Sequence, residues 1–144
     1  MKNVLLFFAL FCPFLLAAYG YAATFEAEDA ILSGTALLAS CASMSSGQFV
    51  KKLSGSPDNS VTFDIYLPDT DDYDLTLGYM TNSPRSMTVE VNGVQQTINV
   101  PASGQWCFQG GVPSDYTITV SLNKGYNTIK VFDSPNLDKV RISA

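Results

Sequence analysis

Two glutamates separated by one residue, Glu26 and Glu28, are the first residues in this sequence whose spacing suggests chemistry. Alternate residues of a β-strand project from the same face, so a strand here would place their carboxylates about 7 Å apart. Like charges at that separation are unfavourable unless a cation or a basic partner neutralises them. Calcium binds several oxygen ligands, including carboxylates, which makes the pair a candidate cation site. A solvated strand face with charged side chains is the alternative.

The same pair is poorly placed for catalysis. Glycosidases use two carboxylates that flank the scissile sugar bond, one of them with a raised pKa, and two acids on one strand beside a domain terminus do not enclose such a cleft. The sequence contains no histidine, which removes the Ser-His-Asp arrangement and histidine-ligated zinc or copper. We therefore predict that the protein is not an enzyme.

Trp106 is the single tryptophan of the sequence, and glycine and serine residues lie close to it along the chain. These neighbours favour partial exposure of the indole. A sugar ring packs its flat C–H face against an aromatic ring, while its hydroxyls need amide or carboxylate partners. Trp106 is therefore a candidate sugar contact, with a core position near Cys107 as the alternative.

The first 22 residues are typical of a signal peptide. Lys2 precedes an apolar run over residues 4–18, and Gly20 and Ala22 occupy the −3 and −1 positions of an expected cleavage site. A membrane anchor is the alternative, but the run is short for a span of about 20 residues and no basic cluster follows it. We expect a secreted, extracellular protein with one domain over residues 23–144 and no membrane association after cleavage.

The net charge of the mature chain indicates which partners it would repel. Removal of Lys2 leaves seven basic and 13 acidic side chains, a net charge of −6. We expect no nucleic-acid partner, because such a protein is repelled by polyanions.

Cys12 lies in the predicted signal peptide, so Cys41 and Cys107 remain. In an exported chain two cysteines most simply form one disulfide, and two unpaired thiols are the alternative.

Most of the sequence after residue 24 alternates apolar and polar residues, the pattern of half-buried strands. Asn92-Gly93 is a strong signal for a type I′ hairpin, and the serine-rich residues 41–47 are typical of a loop. Because no stretch has a helical period, we predict an all-β fold, an antiparallel β-sandwich. The predicted strands cover residues 61–67, 73–79, 87–91, 94–100, 116–122, 127–132 and 139–143.

The order of several short motifs resembles a known family. These motifs lie at residues 25–30, 46–50, 72–79, 89–93, 104–106, 122–129 and 136–140. Together they resemble the carbohydrate-binding modules of families 6 and 35 over essentially the whole of residues 23–144. The resemblance implies a jelly-roll, galactose-binding-domain-like sandwich that binds a polysaccharide or glycoconjugate in a lectin-like, non-catalytic way.

The resemblance also implies a structural calcium ion near the chain termini. The positions that match the family's ligands are Glu26, Glu28 and Asp138, with a backbone carbonyl from residues 47–51 as a further ligand. Calcium prefers such a set of carboxylate and carbonyl oxygens.

Sugar contacts in the resembling modules come from loops at one edge of the sandwich. An aromatic platform there corresponds to Trp106, and an asparagine just before the last strand corresponds to Asn136, in the loop over residues 133–136. Tyr79 and Asn82 lie in a neighbouring stretch and are further candidates. The alternatives are a core position for Tyr79 and a turn role for Asn136.

Three positions depart from the family pattern. Gly78 stands where an arginine is usual, Lys139 replaces a common aromatic residue, and Cys107 and Phe108 occupy the place of a second tryptophan. These departures leave the fold intact but support a second interpretation: a secreted structural or protein-interaction sandwich that has lost sugar binding.

Overall fold

The computed structural model of the protein describes residues 20–144. Most of the predicted signal peptide, 1–22, lies outside the described residues. The described residues ahead of the expected cleavage point take part in the folded domain. The carbonyl of Tyr21 accepts a hydrogen bond from the Ala144 N–H at 2.9 Å, and its ring packs edge to face against Tyr73. Within residues 20–144, no helix is long and apolar enough to cross a membrane.

Eleven strands and two single-turn 3₁₀ helices make up the regular structure of residues 20–144. The 3₁₀ helices lie at Ala27–Asp29 and Cys107–Gln109. The strands are β1 (Ala22–Glu26), β2 (Ile31–Ser33), β3 (Leu37–Ser40), β4 (Gln48–Lys51), β5 (Ser60–Leu67), β6 (Asp71–Met80), β7 (Arg85–Val91), β8 (Val94–Val100), β9 (Ser114–Leu122), β10 (Gly125–Phe132) and β11 (Asn136–Ser143).

The strands form two antiparallel sheets. The larger sheet has the order β3-β4-β11-β6-β9, with β1 also paired to β11, and the smaller has the order β2-β5-β10-β7-β8. Since β6 occupies one side of β11, β1 and β4 lie end to end along its other side. The predicted all-β antiparallel sandwich is confirmed.

The core lies between the inner faces of the two sheets. In β6 the alternate residues Tyr73, Leu75, Leu77 and Tyr79 are all buried, as the sequence pattern predicts. Alternate residues of β5, from Val61 to Leu67, face them. Burying each large apolar side chain contributes about 1.5–3 kcal/mol, which makes this alternation the main determinant of the register.

The predicted hairpin joins β7 to β8. Asn92 and Gly93 both have positive φ angles, of 49° and 86°, as a type I′ turn requires. The Asn92 amide donates to the side-chain oxygen of the buried Asn127 and accepts from the Thr128 N–H, each at 2.9 Å. The turn is thereby fixed to the adjacent strand β10.

A second, smaller apolar cluster lies on the outer face of the larger sheet. Met80 follows the core residue Tyr79, so it points to the opposite side, where it packs with Cys41, Met44 and Phe49. Two connections cover this cluster: the predicted loop 41–47, between β3 and β4, and the segment 101–113, between β8 and β9. A disulfide between Cys41 and Cys107 joins them, and the predicted pairing is confirmed.

Candidate functional site

An open depression of about 330 Å³ lies above the second apolar cluster. Its walls come from three separate parts of the chain: β4, the start of β11, and the segment between β8 and β9. The lining residues are Phe49, Trp106, Cys107, Phe108 and Asn136. Mostly aromatic walls with one amide form a surface on which a polar ring with an apolar face can rest.

A compact turn holds the partly exposed Trp106 in place. The Trp106 carbonyl accepts hydrogen bonds from the N–H groups of Gln109 and Gly111, at 2.9 and 3.0 Å. A Cβ atom at Gly111 would lie 1.8 Å from the Gln105 carbonyl oxygen, so the close approach of the two backbones requires glycine. The disulfide at Cys107 anchors the same turn to the loop 41–47.

The structure brings Trp106 and Asn136 to the same depression, although they belong to different elements. Asn136 was expected in the loop before the last strand; it is instead the first residue of β11, paired with Met80 of β6. A strand position fixes its backbone more firmly than a loop position, so the sheet determines the face from which its side chain projects.

Tyr79 is not a sugar contact, and that expectation is wrong. Its side chain is completely buried in the core, and its hydroxyl donates to the Pro101 carbonyl at 2.9 Å. Burial, with a smaller contribution from Tyr116, raises the pKa of the phenol. Asn82 is exposed in the turn after β6 and is not among the residues that line the depression.

The sequence interpretation missed two aromatic residues of the depression. Phe108 is 85% exposed, a high value for a phenylalanine. Phe49 is buried on the outer face of β4, while the next residue, Val50, belongs to the main core. The position of Phe108, two residues after Trp106, was a usable signal. Phe49 gave none, because the face on which it lies depends on the pairing of β4.

The three acidic candidates meet where β1 ends and β4 begins. Glu26 is the last residue of β1, but Glu28 lies in the 3₁₀ turn that follows, so the expected shared strand face is wrong. Asp138 lies at an irregularity of β11, where the pairing with β6 shifts between Leu137 and Lys139. Such a bulge redirects a side chain, and here it aims Asp138 at the two glutamates.

Two serines of the loop 41–47 contact all three acids. The Ser45 hydroxyl bonds to Glu26 Oε2 at 2.5 Å and to Asp138 Oδ1 at 3.1 Å. The Ser45 backbone N–H also donates to Asp138 Oδ1, at 3.1 Å. The Ser46 hydroxyl donates to Glu28 Oε1. The three acids and the disulfide-bonded loop 41–47 therefore form one connected unit, which we call the acidic unit.

Two carboxylate oxygens in this unit are buried without a hydrogen-bond partner, Glu28 Oε2 and Asp138 Oδ2. Burial raises the pKa of Glu28, and the charges of Glu26, Asp29 and Asp138 raise it further. Buried oxygens that lack donors are costly, and a cation relieves that cost. Within residues 20–144, no three acidic side chains meet closely enough to hold a metal alone. Calcium here would need serine or backbone oxygens as well.

Comparison with known proteins gives the family. A family model described as carbohydrate binding module (family 35) matches residues 23–138. The chain belongs to carbohydrate-binding module family 35. The solved structure of a family 35 module from Clostridium thermocellum is 26% identical to this module with a TM-score of 0.79. That alignment covers 85% of this chain and 98% of the other.

Larger enzymes contain a similar part. An exo-β-1,3-galactanase from Phanerochaete chrysosporium, solved with β-1,3-galactotriose, is 24% identical with a TM-score of 0.74, over 84% of this module and 29% of that chain. A cycloalternan-forming enzyme from Listeria monocytogenes, solved with a pentasaccharide substrate, is 26% identical with a TM-score of 0.75. The latter match covers 85% of this family 35 module and 12% of that enzyme. No curated protein matched the sequence.

Proposed function

We propose that this family 35 module is a secreted, non-catalytic, lectin-like protein that binds a polysaccharide or glycoconjugate in the depression beside Trp106. The observation that carries the proposal is the meeting of Trp106, Phe108 and Asn136 around one solvent-open space. Aromatic faces suit the C–H face of a pyranose ring. The amide of Asn136 offers both donors and an acceptor to its hydroxyls.

The size and composition of the depression favour weak, non-covalent binding. A volume of about 330 Å³ is at the small end for ligand sites, which suits one or two sugar rings. Sugar hydroxyls exchange hydrogen bonds with water for hydrogen bonds with protein, at little net gain. None of the described residues lining the depression is acidic, so the two-carboxylate chemistry of glycosidases is not supported there.

Binding of neutral oligosaccharides, with β-1,3-galactotriose among them, tests the proposal. A glycan array identifies ligands, and calorimetry then compares Trp106→Ala and Asn136→Ala with the wild type. We expect each substitution to weaken binding at least about tenfold, because each removes a contact central to the site. Asn82→Ala is the matched control, since Asn82 is exposed outside the depression. Unchanged affinity in the folded Trp106→Ala protein would refute the site.

We include in the proposal a structural calcium ion at the acidic unit described above, because two buried carboxylate oxygens there, Glu28 Oε2 and Asp138 Oδ2, lack hydrogen-bond partners. Glu26, Glu28 and Asp138 would hold it together with serine or backbone oxygens, and its charge would offset the repulsion among the three carboxylates. We expect millimolar calcium to raise the melting temperature of the metal-free protein by several degrees, because a ligand of the native state stabilises it by mass action.

A matched pair of variants checks the calcium site by the same melting experiment. Asp138→Asn should abolish the calcium-dependent rise, whereas Asp58→Asn, at an exposed turn position, should keep it. No rise in the wild type after thorough chelation would contradict the calcium proposal without affecting the sugar site.

A second candidate function is a structural or protein-interaction sandwich without sugar binding. The specific observation in its favour is the contact between two residues that depart from the family pattern. A Cβ atom at Gly78 would lie 3.1 Å from Cγ of Lys139, so the lysine stem occupies the space beside this glycine. The absence of binding to any glycan on the array would favour this candidate.

A further inference from the structure

A third serine of the loop 41–47, Ser43, contacts the turn over residues 106–111, which we call the tryptophan turn. The Ser43 hydroxyl donates a hydrogen bond of 2.7 Å to the carbonyl of Gly111, 68 residues away in the sequence. Gly111 is buried, and its own N–H donates to the Trp106 carbonyl at 3.0 Å. Ser43 therefore holds the residue that closes the turn on Trp106.

The Ser43 hydrogen bond lies beside the disulfide, because the Ser43 hydroxyl oxygen is 3.2 Å from Cys41 Sγ. A disulfide sulfur has no proton to donate and is a weak acceptor, so the hydroxyl proton is available to Gly111. The loop is thus joined to the tryptophan turn at two points, Cys107 and Gly111. One attachment would let the turn pivot about the disulfide, whereas two attachments oppose that rotation.

The same loop is also fixed to the strand that carries Asn136. The backbone N–H and the hydroxyl of Ser45 both bond to Asp138 Oδ1, each at 3.1 Å. Asp138 and Asn136 lie two residues apart on β11. The Cys41 N–H donates to the Gly47 carbonyl at 2.8 Å, which closes the loop on itself. The loop therefore connects the strand that carries one candidate sugar contact to the turn that carries the other.

We propose that Ser43 is a positioning residue of the sugar site, which sets the place of Trp106 relative to Asn136. This inference rests on the proposed function and adds to it a residue that does not line the depression. A ligand that contacts an indole and an amide together needs both groups held to within about 0.5 Å. Without the Ser43 bond the tryptophan turn has more freedom, and binding then carries the cost of ordering it.

A second serine provides the matched control for a purely structural role. Ser121, like Ser43, is exposed, and its hydroxyl donates to a residue distant in the sequence, Asp72. Ser43→Ala and Ser121→Ala each delete one long-range hydrogen bond of an exposed hydroxyl, so both proteins should stay folded with a small loss of stability. Only Ser43→Ala should also change the environment of Trp106.

Trp106 reports on its own position, because it is the single tryptophan of the sequence. Acrylamide quenching of tryptophan fluorescence is compared, without sugar, for the wild type, Ser43→Ala, Ser43→Thr and Ser121→Ala. Calorimetry with β-1,3-galactotriose, mannotriose and xylotriose then measures affinity. We expect Ser43→Ala to raise the quenching and to weaken binding about fivefold, the equivalent of one typical hydrogen bond. Ser43→Thr keeps the hydroxyl and should restore both properties, and Ser121→Ala should match the wild type in both.

Three results would overturn the positioning role of Ser43. The first is equal quenching in Ser43→Ala and the wild type, whatever their affinities. The second is raised quenching with unchanged affinity for a sugar that the wild type binds. The third is a Ser43→Thr protein that behaves like Ser43→Ala. A wild type that binds none of the three sugars counts against the proposed function instead, because the quenching comparison needs no sugar and decides separately whether Ser43 holds Trp106.

Discussion

Cys41 and Cys107 are joined across the outer face of the larger sheet, 66 residues apart in the sequence. On one side of this bond, the loop 41–47 carries Ser45, which contacts Glu26 and Asp138. On the other side, Cys107 directly follows Trp106 and lines the depression with it. The acidic unit and the aromatic depression are therefore held by one covalent link.

Replacing both cysteines with serine should destabilise the protein and weaken sugar binding together. Closing a loop of 66 residues stabilises a fold by about 4 kcal/mol in the chain-entropy model. Urea unfolding of Cys41→Ser/Cys107→Ser measures this loss, and calorimetry with a ligand identified on the array measures binding. The reduced wild type serves as the control, and a stable double variant with full affinity would show that the link does not position Trp106.

Phe108→Ser should weaken sugar binding and leave stability almost unchanged. Its ring is 85% exposed, so its removal costs the fold no more than about 0.5 kcal/mol, while the depression loses one aromatic wall. Val112→Ser is the matched control, because Val112 is 58% exposed in the same segment but does not line the depression. Equal affinities of the two variants would remove Phe108 from the site.

The strands from β5 onward could be predicted from sequence because their inner residues alternate. The prediction of residues 61–67 differs from Ser60–Leu67 by one residue, and the Asn92-Gly93 turn forms as expected. The short strands β2 and β3 gave no comparable signal. Their exposed apolar residues, such as Ile31 and Leu38, do not alternate cleanly, and pairing with distant partners determines these strands.

The site was predictable only in part, for a similar reason. Trp106 came from its residue type and its neighbours in the sequence, Asn136 came from a resemblance in motif order, and the structure places them together. The direction of Asp138 depends on a bulge in β11, and Tyr79 is buried by packing against the opposite sheet. The bulge is a property of tertiary pairing that no local pattern of residues encodes. The burial of Tyr79, by contrast, follows from the alternation of apolar and polar residues along β6.

Gly93→Ala should destabilise the domain by about 1 kcal/mol through backbone strain alone. Gly93 has a φ of 86°, and a Cβ atom there would meet nothing within 4 Å, so crowding contributes no penalty. Thermal unfolding measures the change. Gly47→Ala is a suitable comparison, because it combines a φ of 83° with equally open space in the loop of the acidic unit. Only the Gly47 variant should also alter calcium binding.

Glu28→Gln should remove the contribution of Glu28 to the pH dependence of stability in calcium-free solution. Burial, followed by the charge of neighbouring acids, raises the Glu28 pKa above its ordinary value of 4.5. The native state then binds more protons than the unfolded state, so the contribution of Glu28 is fully present below pH 4.5 and is lost as pH rises through the raised pKa. Glutamine keeps the shape without the charge, so the variant should be the more stable protein at neutral pH.

Calcium should change the order of these two proteins. With the cation bound, the charged Glu28 becomes a ligand, and the wild type should be the more stable at pH 7, because the amide is the weaker partner for a divalent cation. Melting temperatures of both proteins from pH 4 to 8, with chelator and with millimolar calcium, show which protein is the more stable under each condition. Parallel curves for the two proteins under both conditions would mean that Glu28 neither carries a raised pKa nor binds the ion.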